Sequence, residues 1–276
     1  MALGTVACNV ADKFSKYEEY RVYKIDHEPS DEEFYFKLKK FANLEDYESR
    51  PPDVTSFLSE VSGEVLFIVC GASSAASASL VILEQIHKKC SISVLYIHPE
   101  TDLLSEGKTL QERAVFHILQ EYARSGALKR IYLVANHCVD PMVEDASIMG
   151  YHDSLNDVVV SSFHMINFFD HTQSITDTFS PPSETARIFT FGILNYEDSQ
   201  EKIFFPLDNV RETRYYYGIP KEKLHREKDL RRKIVNQVKE KAAEQRKVSF
   251  GIYATSYEHD CALVVSNSSF IQNKEI

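Results

Sequence analysis

The sequence predicts an α/β fold: a Rossmann-like, mostly parallel sheet with helices on both faces, a long central helix and a smaller C-terminal α/β unit. Three observations predict it. Strand-like and helix-like segments alternate through the first two-thirds of the chain. Residues 65–70 (Val65, Leu66, Phe67, Ile68, Val69, Cys70) are apolar without interruption, as a strand buried on both faces requires. Residues 155–169 are apolar nearly all the way round a helix, which predicts burial along its length. Lying between two halves, such a helix is a shared spine.

The elements follow in order. A clipped strand, Ala2 and Leu3, leads into a helix over 8–16. Alternation predicts strands at 21–25 and 34–38. Between 45 and 62 the Pro51-Pro52 break precedes a helical stretch that ends at Gly63. After the strand at 65–70, small residues over 71–77 connect to a helix over 78–89. A strand at 92–97 is stopped by Pro99. The next helix sets Leu110, Ala114, Ile118 and Tyr122 on one stripe and ends at Gly126. The last strong strand of this half is 131–134. A helix between successive strands excludes hairpins, so right-handed crossovers follow. Residues 170–186 are polar and hold Pro181-Pro182, which predicts a loop. Beyond lie strands at 187–194, 202–206, 248–254 and 261–266, and a basic helix over 227–245. That helix carries Leu230, Ile234, Val238 and Ala242 at spacing four, so one stripe packs. The chain thus divides into 1–150, a central helix 151–171, a loop 172–186 and an α/β domain 187–276.

With 276 residues the chain suits two modest domains. At 43% hydrophobic and 26% charged residues it is ordinary globular sequence, not a disordered or fibrous one. No apolar run approaches the ~20 residues that span a bilayer, and the start, Met1-Ala2-Leu3-Gly4, lacks the charged and apolar regions of a signal peptide. A cytoplasmic protein without membrane contact is expected. The five cysteines are scattered and odd in number, and Cys8, Cys70 and Cys138 sit in or beside apolar runs, as buried thiols do. His87-x-x-Cys90 and His259-x-Cys261 lack second pairs, so no metal site is expected. Neither a Gly-x-Ser-x-Gly elbow nor a Gly-x-x-x-x-Gly-Lys-Ser/Thr loop is present.

Charge is unevenly spread. The net value is −10, yet residues 221–247 hold 11 Lys/Arg against 5 Asp/Glu. A pI of 5.5 argues against a broad nucleic-acid footprint. The basic stretch reads either as a solvated face or as a surface for an acidic neighbour, such as another copy of the chain.

Several local sequences then fall in a recognisable order. Gly4-Thr5-Val6-Ala7-Cys8-Asn9-Val10-Ala11-Asp12-Lys13-Phe14 resembles the first loop and helix of the tubulin/FtsZ superfamily. Residues 67–77 fall where that family has its glycine-rich phosphate signature, with Val81-Ile82-Leu83-Glu84 on the helix that follows. Glu106-Gly107 resembles its ribose-contacting loop, and Val134-Ala135-Asn136 the strand-end Pro-Asn of FtsZ. Leu155-Asn156-Asp157-Val158-Val159 resembles the start of the central helix, where an Asn or Asp reads guanine. Val248-Ser249-Phe250-Gly251 resembles the family's last Phe-Gly strand. The resemblance covers nearly the whole chain as an order of elements, with no single motif intact.

The resemblance implies a guanine-nucleotide-binding protein, taking GTP or GDP with Mg2+, that self-associates head to tail into cytoskeletal filaments. It assigns nucleotide contacts to Gly4, Asn9, Gly71, Ser73, Ser74, Ser77, Glu106, Asn136 and Asn156. The physics of such a site is general: where a loop opens into a helix, free N–H groups and the positive dipole end face an anion, and glycines let backbone approach it. Asn9 and Asn156 read equally as helix caps, Glu106 as an exposed loop residue and Asn136 as a turn former. The departures matter. The phosphate signature keeps one glycine, with Ala and Ser where the family has glycine, and Ser74 in the place of its threonine hydroxyl. Positions needing positive φ then cost about 1 kcal/mol or more each. Ala7 stands where a glycine is expected, and Leu110 where an arginine is. The family's catalytic acidic loop is reduced to 170–186, leaving Asp177 as the catalytic candidate and Asp170 second, a pattern that points away from efficient hydrolysis. Two other readings stay open: a pseudo-GTPase serving as a binding or structural module, and an unrelated Rossmann-like enzyme on a small cofactor. The compact length and eroded motifs resemble phage- or plasmid-encoded relatives, for which a bacterial cytoplasm is the expected location.

Overall fold

Gly4, with φ 87°, turns the two-residue strand β1 (Ala2–Leu3) straight into helix α1 (Thr5–Phe14), so the helix starts three residues before the sequence suggests. The computed structural model describes residues 1–43, 45–181, 183–196, 198–242 and 247–273. Strands β2 (Lys24–Asp26) and β3 (Tyr35–Lys37) and the single turn α2 (Asp46–Ser49) come next. Then follow β4 (Gly63–Cys70), a 3-10 turn at Ser74–Ala78, α3 (Ser79–Ile86), β5 (Cys90–His98), α4 (Glu106–Ser125), β6 (Arg130–Ala135), the short α5 (Asn136–Val139) and the long α6 (Tyr151–Asp170). The remainder is β7 (Thr176–Asp177), β8 (Ile188–Leu194), β9 (Glu201–Ile203), β10 (Val210–Pro220), α7 (Lys221–Arg226), α8 (Leu230–Lys241), β11 (Lys247–Thr255) and β12 (Cys261–Ser268).

One sheet runs through the molecule in the order β3-β2-β1-β4-β5-β6-β8-β12-β10-β11-β7, with β9 beside β8. Pairing is parallel from β3 through β6 to β8. Beyond β8 only β10 and β11 pair in parallel, while β12 is antiparallel to both β8 and β10. The sheet is therefore mostly parallel, as expected. On one face α3 and α4 bury Ile82, Ile86, Phe116 and Leu119 against β4 and β5. On the other, α1 and α6 bury Phe14, Leu155, Val159 and Phe163. Helix α8 covers β10 and β11 with Leu230, Ile234 and Val238.

Helix α6 is the shared spine. Phe163 packs edge-on to Phe14 and Tyr132 in the first half and to Phe191 of β8. Phe169 stacks on Tyr253 of β11 at 4.5 Å. Burial is not all-round, however: Phe168 stays 42% exposed, because the outer side of α6 has no layer above it.

Other expectations are corrected. In α4 the stripe Leu110, Ala114, Ile118 and Tyr122 faces outward, with Leu110 70% exposed. The buried side is Glu112, Phe116, Leu119, Gln120 and Ala123. Two polar residues with buried partners disguised it: Glu112 meets Tyr96, and Gln120 meets the backbone of Gln272. The helical stretch before Gly63 is only a turn closed by Leu58 N on Val54 O at 2.9 Å, held by the Gln85 and Lys89 side chains. The loop 170–186 contains β7, which pairs with the edge of β11; Pro182 lies outside the described residues. Strand β10, the longest, was unread because Arg211, Glu212 and Arg214 interrupt its apolar pattern. Glu212 is buried and pairs with Arg214 at 3.1 Å. The basic helix begins at Leu230 as α8, three residues after its expected start and behind the separate short α7, and its expected end at 243–245 lies outside the described residues.

Candidate functional site

Parallel register places the loops. Leu3 pairs with Val69, Cys70 with Ile97 and His98 with Ala135. The carboxyl ends of β1, β4, β5 and β6 therefore share one rim, where a doubly wound sheet offers a ligand crevice. Gly4, residues 71–77, Pro99 and Asn136 follow those ends directly. Helix α6 runs alongside α1 in the same direction. Lys13 bridges to Asp153 at 3.0 Å and Asp157 at 3.2 Å, and His164 stacks on Tyr17 at 3.6 Å. Asn9 and Asn156 thus lie in the second turns of neighbouring helices. Neither is a cap: those positions belong to Gly4 and Gly150. Glu106 is the exposed first residue of α4.

Gly4 and the second loop are fitted together. A Cβ on Gly4 would overlap the Ser73 hydroxyl and lie 3.3 Å from Ala75 Cβ. At the start of α1 the Thr5 hydroxyl donates to the buried Asp26 carboxylate at 2.8 Å.

Residues 71–77 do not carry the strain their composition implies. None has positive φ; among the described residues only Gly4, Gly63, Gly126, Ser199 and Asn209 do. The loop turns instead as a 3-10 helix, with Ser73 N on Cys70 O at 3.0 Å and Ala76 N on Ser73 O at 2.9 Å. That winding drives the Ala75 and Ala76 methyls into the core. Ser73, Ser74 and Ser77 stay half-buried, so their hydroxyls and the first-turn amides of the 3-10 helix are the groups left to hold an anion.

A buried polar support lies under this loop, and sequence reasoning missed it. Gln111 Nε2 donates to Gly71 O at 3.1 Å and to Ser73 O at 2.5 Å. Tyr96 Oη donates to Glu112 Oε1 at 2.8 Å, and His98 Nε2 lies 3.5 Å from the same oxygen. The signal available was two polar residues, Tyr96 and His98, two apart and so on one face of the strand at its apolar carboxyl end. His98 and Glu112 are 2% and 1% exposed. Geometry alone would make them an ion pair, whereas burial pushes the imidazole below its ordinary 6.5, only partly offset by Glu112 and the Pro99 carbonyl, and His137 adds to the lowering. Burial decides: 3.5 Å is longer than a charge-assisted bond, and Nδ1 already has an acceptor in Pro99 O at 2.9 Å. The balance favours the neutral imidazole. Burial likewise lowers His164, with Glu19 opposing. The unfolded state then binds these protons first, so stability is full above about pH 6.5 and is lost as pH falls into the depressed range. Thermal midpoints are expected to drop between pH 7.5 and 5.5, with a shallower slope in a His98→Gln, His164→Gln variant. An equal slope in that variant would remove both histidines from the account.

Asn136 begins α5 at the end of β6, and its Oδ1 is buried without a hydrogen-bond partner. Such an orphaned acceptor is rare in a folded protein. Asp177 and Asp170 are not at the rim. Asp177 lies on the outermost strand β7, its carboxylate taken by the Ser174 hydroxyl and by Phe179 N at 3.2 Å. Asp170 ends α6, about 30 Å along from its first residue, and accepts from Tyr216 Oη at 2.8 Å.

No family model matches the sequence, and neither does any curated protein. Solved structures do. A GTPγS-form protofilament of TubZ from Bacillus thuringiensis serovar israelensis matches with TM-score 0.67 at 14% identity, over 96% of this chain and 85% of that one. An empty FtsZ dimer from M. jannaschii matches with TM-score 0.67 at 7% identity, over 96% and 85%. GDP-bound monomeric CetZ1 from Haloferax volcanii matches with TM-score 0.63 at 14% identity, over 98% and 93%. The fold is that of the tubulin/FtsZ superfamily. Within the tubulin/FtsZ fold, α6 is the central helix and the rim is the carboxyl edge of its first half. The structure brings Gly4, Gly71, Ser73, Ser74, Ser77 and Asn136 to that rim and keeps Asp177 and Asp170 away from it. Two clefts of about 1010 and 790 Å3 lie elsewhere, beside α7 and at the far end of α6. Among the described residues no helix is long and apolar enough to cross a membrane, and no three metal-ligating side chains cluster.

Proposed function

We propose that this chain is an assembly subunit that binds a guanine nucleotide at the carboxyl rim and stacks head to tail, with little or no hydrolysis. The observation that carries this reading is the orphaned Asn136 Oδ1, set on the same rim as Gly4 and the 71–77 turn. In this reading residues 1–150 form the nucleotide-binding domain and 187–276 the second domain, with α6 between them. The amides at the start of α1 and the Ser73, Ser74 and Ser77 hydroxyls hold phosphate oxygens. Asn136 and Asn156 meet the base side, Glu106 the ribose, and Asn9 the phosphate side of α1. Any Mg2+ would be held chiefly by phosphate oxygens and water, since among the described residues no three metal-ligating side chains cluster. Structural neighbours in GTPγS-form protofilaments and in a four-stranded filament support the assembly part. A contact between two different patches generates open filaments. Hydrolysis would need Asp177 of one copy at the rim of the next, and its carboxylate is already occupied by Ser174 and Phe179. A cytoplasmic location accompanies this reading.

A second reading, a nucleotide-free scaffold, is favoured by the burial of Ala75 and Ala76 and by the Asp26 carboxylate beside the first turn of α1. Calorimetric titration with GTP and Mg2+, and with ATP as control, separates the two. Dissociation constants near micromolar, about −8 kcal/mol, are expected for GTP, weakened about tenfold or more by Asn156→Ala or Asn136→Ala. Neither heat nor thermal stabilisation at millimolar GTP would sink the nucleotide reading and leave the scaffold.

A further inference from the structure

The cleft of about 790 Å3 at the far end of α6 is of small-molecule size and has a chemistry the carboxyl rim does not share. Ser93 and Arg130 near the amino ends of β5 and β6, Asn167 and Phe168 on α6, and Arg214 on β10 line it. Arg130 sets the sign. Its side chain is 22% exposed, yet among the described residues its one hydrogen bond runs from Nη1 to the neutral Tyr132 hydroxyl at 2.9 Å. The carboxylate beside it, Asp170, stands 3.8 Å away, too far for a charge-assisted bond, and already accepts from Tyr216 Oη at 2.8 Å. A guanidinium has five donors, and removing one from water short of charged partners is costly. No Arg130 nitrogen is sealed without a partner, so its unused donors open on this cleft. Arg214 is the second guanidinium. Its Nη2 donates to Ser180 O at 2.5 Å and meets Glu212 at 3.1 Å, while Nε is buried without a partner. Glu212 is also shared with Lys247 at 3.4 Å. Three cations, Arg130, Arg214 and Lys247, thus face two carboxylates, Asp170 and Glu212. Of the other charged groups, Lys129 and Glu64 pair with each other and Glu19 is exposed. Burial raises the Tyr132 hydroxyl and both guanidinium groups oppose it, so the two charges share one corner of the cleft. The remaining wall is aromatic, with Tyr20, Phe163 and the half-open Phe168.

We propose that this cleft binds a small amphipathic anion, its carboxylate or phosphate head on Arg130 and Arg214 and its aromatic or apolar body against Tyr20 and Phe168. Guanidinium groups match either head through paired N–H donors, and the head takes the donors that Asp170 leaves unused. The rings give the body apolar surface to cover. Arg130 belongs to β6 and Arg214 to β10, so the bound anion ties the first half of the molecule to the second. It acts as an effector that resists their separation. The site is independent of the nucleotide, which the rim at the opposite ends of β4, β5 and β6 would hold.

The probes are phenyl phosphate, benzoate and inorganic phosphate, titrated calorimetrically into the full chain at fixed ionic strength, with and without GTP. Phenyl phosphate or benzoate is expected to bind saturably, about tenfold or more tighter than inorganic phosphate, because the ring adds burial that the head alone lacks. Whichever binds tighter names the head group. Arg130→Gln is expected to weaken the better probe about tenfold or more. Phe168→Glu, at an exposed position that tolerates exchange, is expected to weaken it by like-charge repulsion at the mouth. Arg226→Gln, an exposed arginine beside the other cleft, is expected to change nothing. With probe at saturation, hydrogen exchange in β6 and β8 is expected to slow. Four results overturn the proposal: no saturable binding of any probe at tens of millimolar; Arg130→Gln and Phe168→Glu both binding as the parent does; displacement of the probe by GTP, which would put the anion at the rim; or exchange in β6 and β8 unmoved at saturation.

Discussion

Truncating Phe169 to alanine is expected to cost about 3–5 kcal/mol of stability. The ring is 1% exposed at the end of the central helix, stacked on Tyr253 at 4.5 Å and parallel to Tyr216 at 6.3 Å. Gly218 presses on it from β10, where a Cβ would come within 2.8 Å of Phe169 Cζ. These are strands of the second half, whereas the same helix holds Phe14 and Tyr132 of the first through Phe163. A cavity here loosens the attachment of the spine as well as the local core. Phe168→Ala is the control. That ring is 42% exposed one residue away, and its loss is expected to stay within about 0.5 kcal/mol. Urea midpoints measure both, with an unchanged slope showing that the unfolded state is the same. Equal losses at the two positions would mean that the burial pattern of α6 is not what fixes it.

Gly71→Ala and Gly107→Ala are expected to move stability in opposite directions. At Gly71 a Cβ would overlap the Tyr96 hydroxyl and lie 2.8 Å from Tyr96 Cζ and 3.2 Å from Glu112 Cγ. Tyr96 cannot swing aside without leaving Glu112, a buried carboxylate, short of its donor. A cost of about 1–3 kcal/mol follows. At Gly107, in the first turn of α4, nothing lies within 4 Å, so alanine is expected to stabilise by about 0.5–1 kcal/mol through helix propensity. Thermal melts decide. If Gly71→Ala proved neutral, the support under the 71–77 turn would be softer than its burial implies.

The parallel half of the fold was legible because its strands are continuous apolar runs, and a two-sided burial leaves that pattern little freedom. The second half was less so. Strand β10 hides behind Arg211, Glu212 and Arg214, since a buried ion pair erases the hydrophobic contrast that marks a strand. The stripe on α4 was read on the wrong side for the same reason: Glu112 and Gln120 look like surface and are core. At the rim, the order of elements sufficed to bring Gly4, Gly71, Ser73 and Asn136 together. The conformation of 71–77 did not follow from its residues. Glycine loss was expected to appear as strained backbone, yet the chain takes a different winding, in which Gln111 from elsewhere in the sequence holds the Gly71 and Ser73 carbonyls.

The joint between the halves has its own consequence. Strands β6 and β8 share three paired residues, while β10 and β11 share nine. The cluster under α3 and α4 reaches across this joint through Ile188 and Phe205, while the one under α8 lies wholly in the second half. Parting the sheet at β6–β8 would therefore draw Ile188 and Phe205 out of the first cluster and leave the α8 cluster closed, a partial opening short of global unfolding. What such an opening must twist is α6, whose aromatic rings reach into both halves.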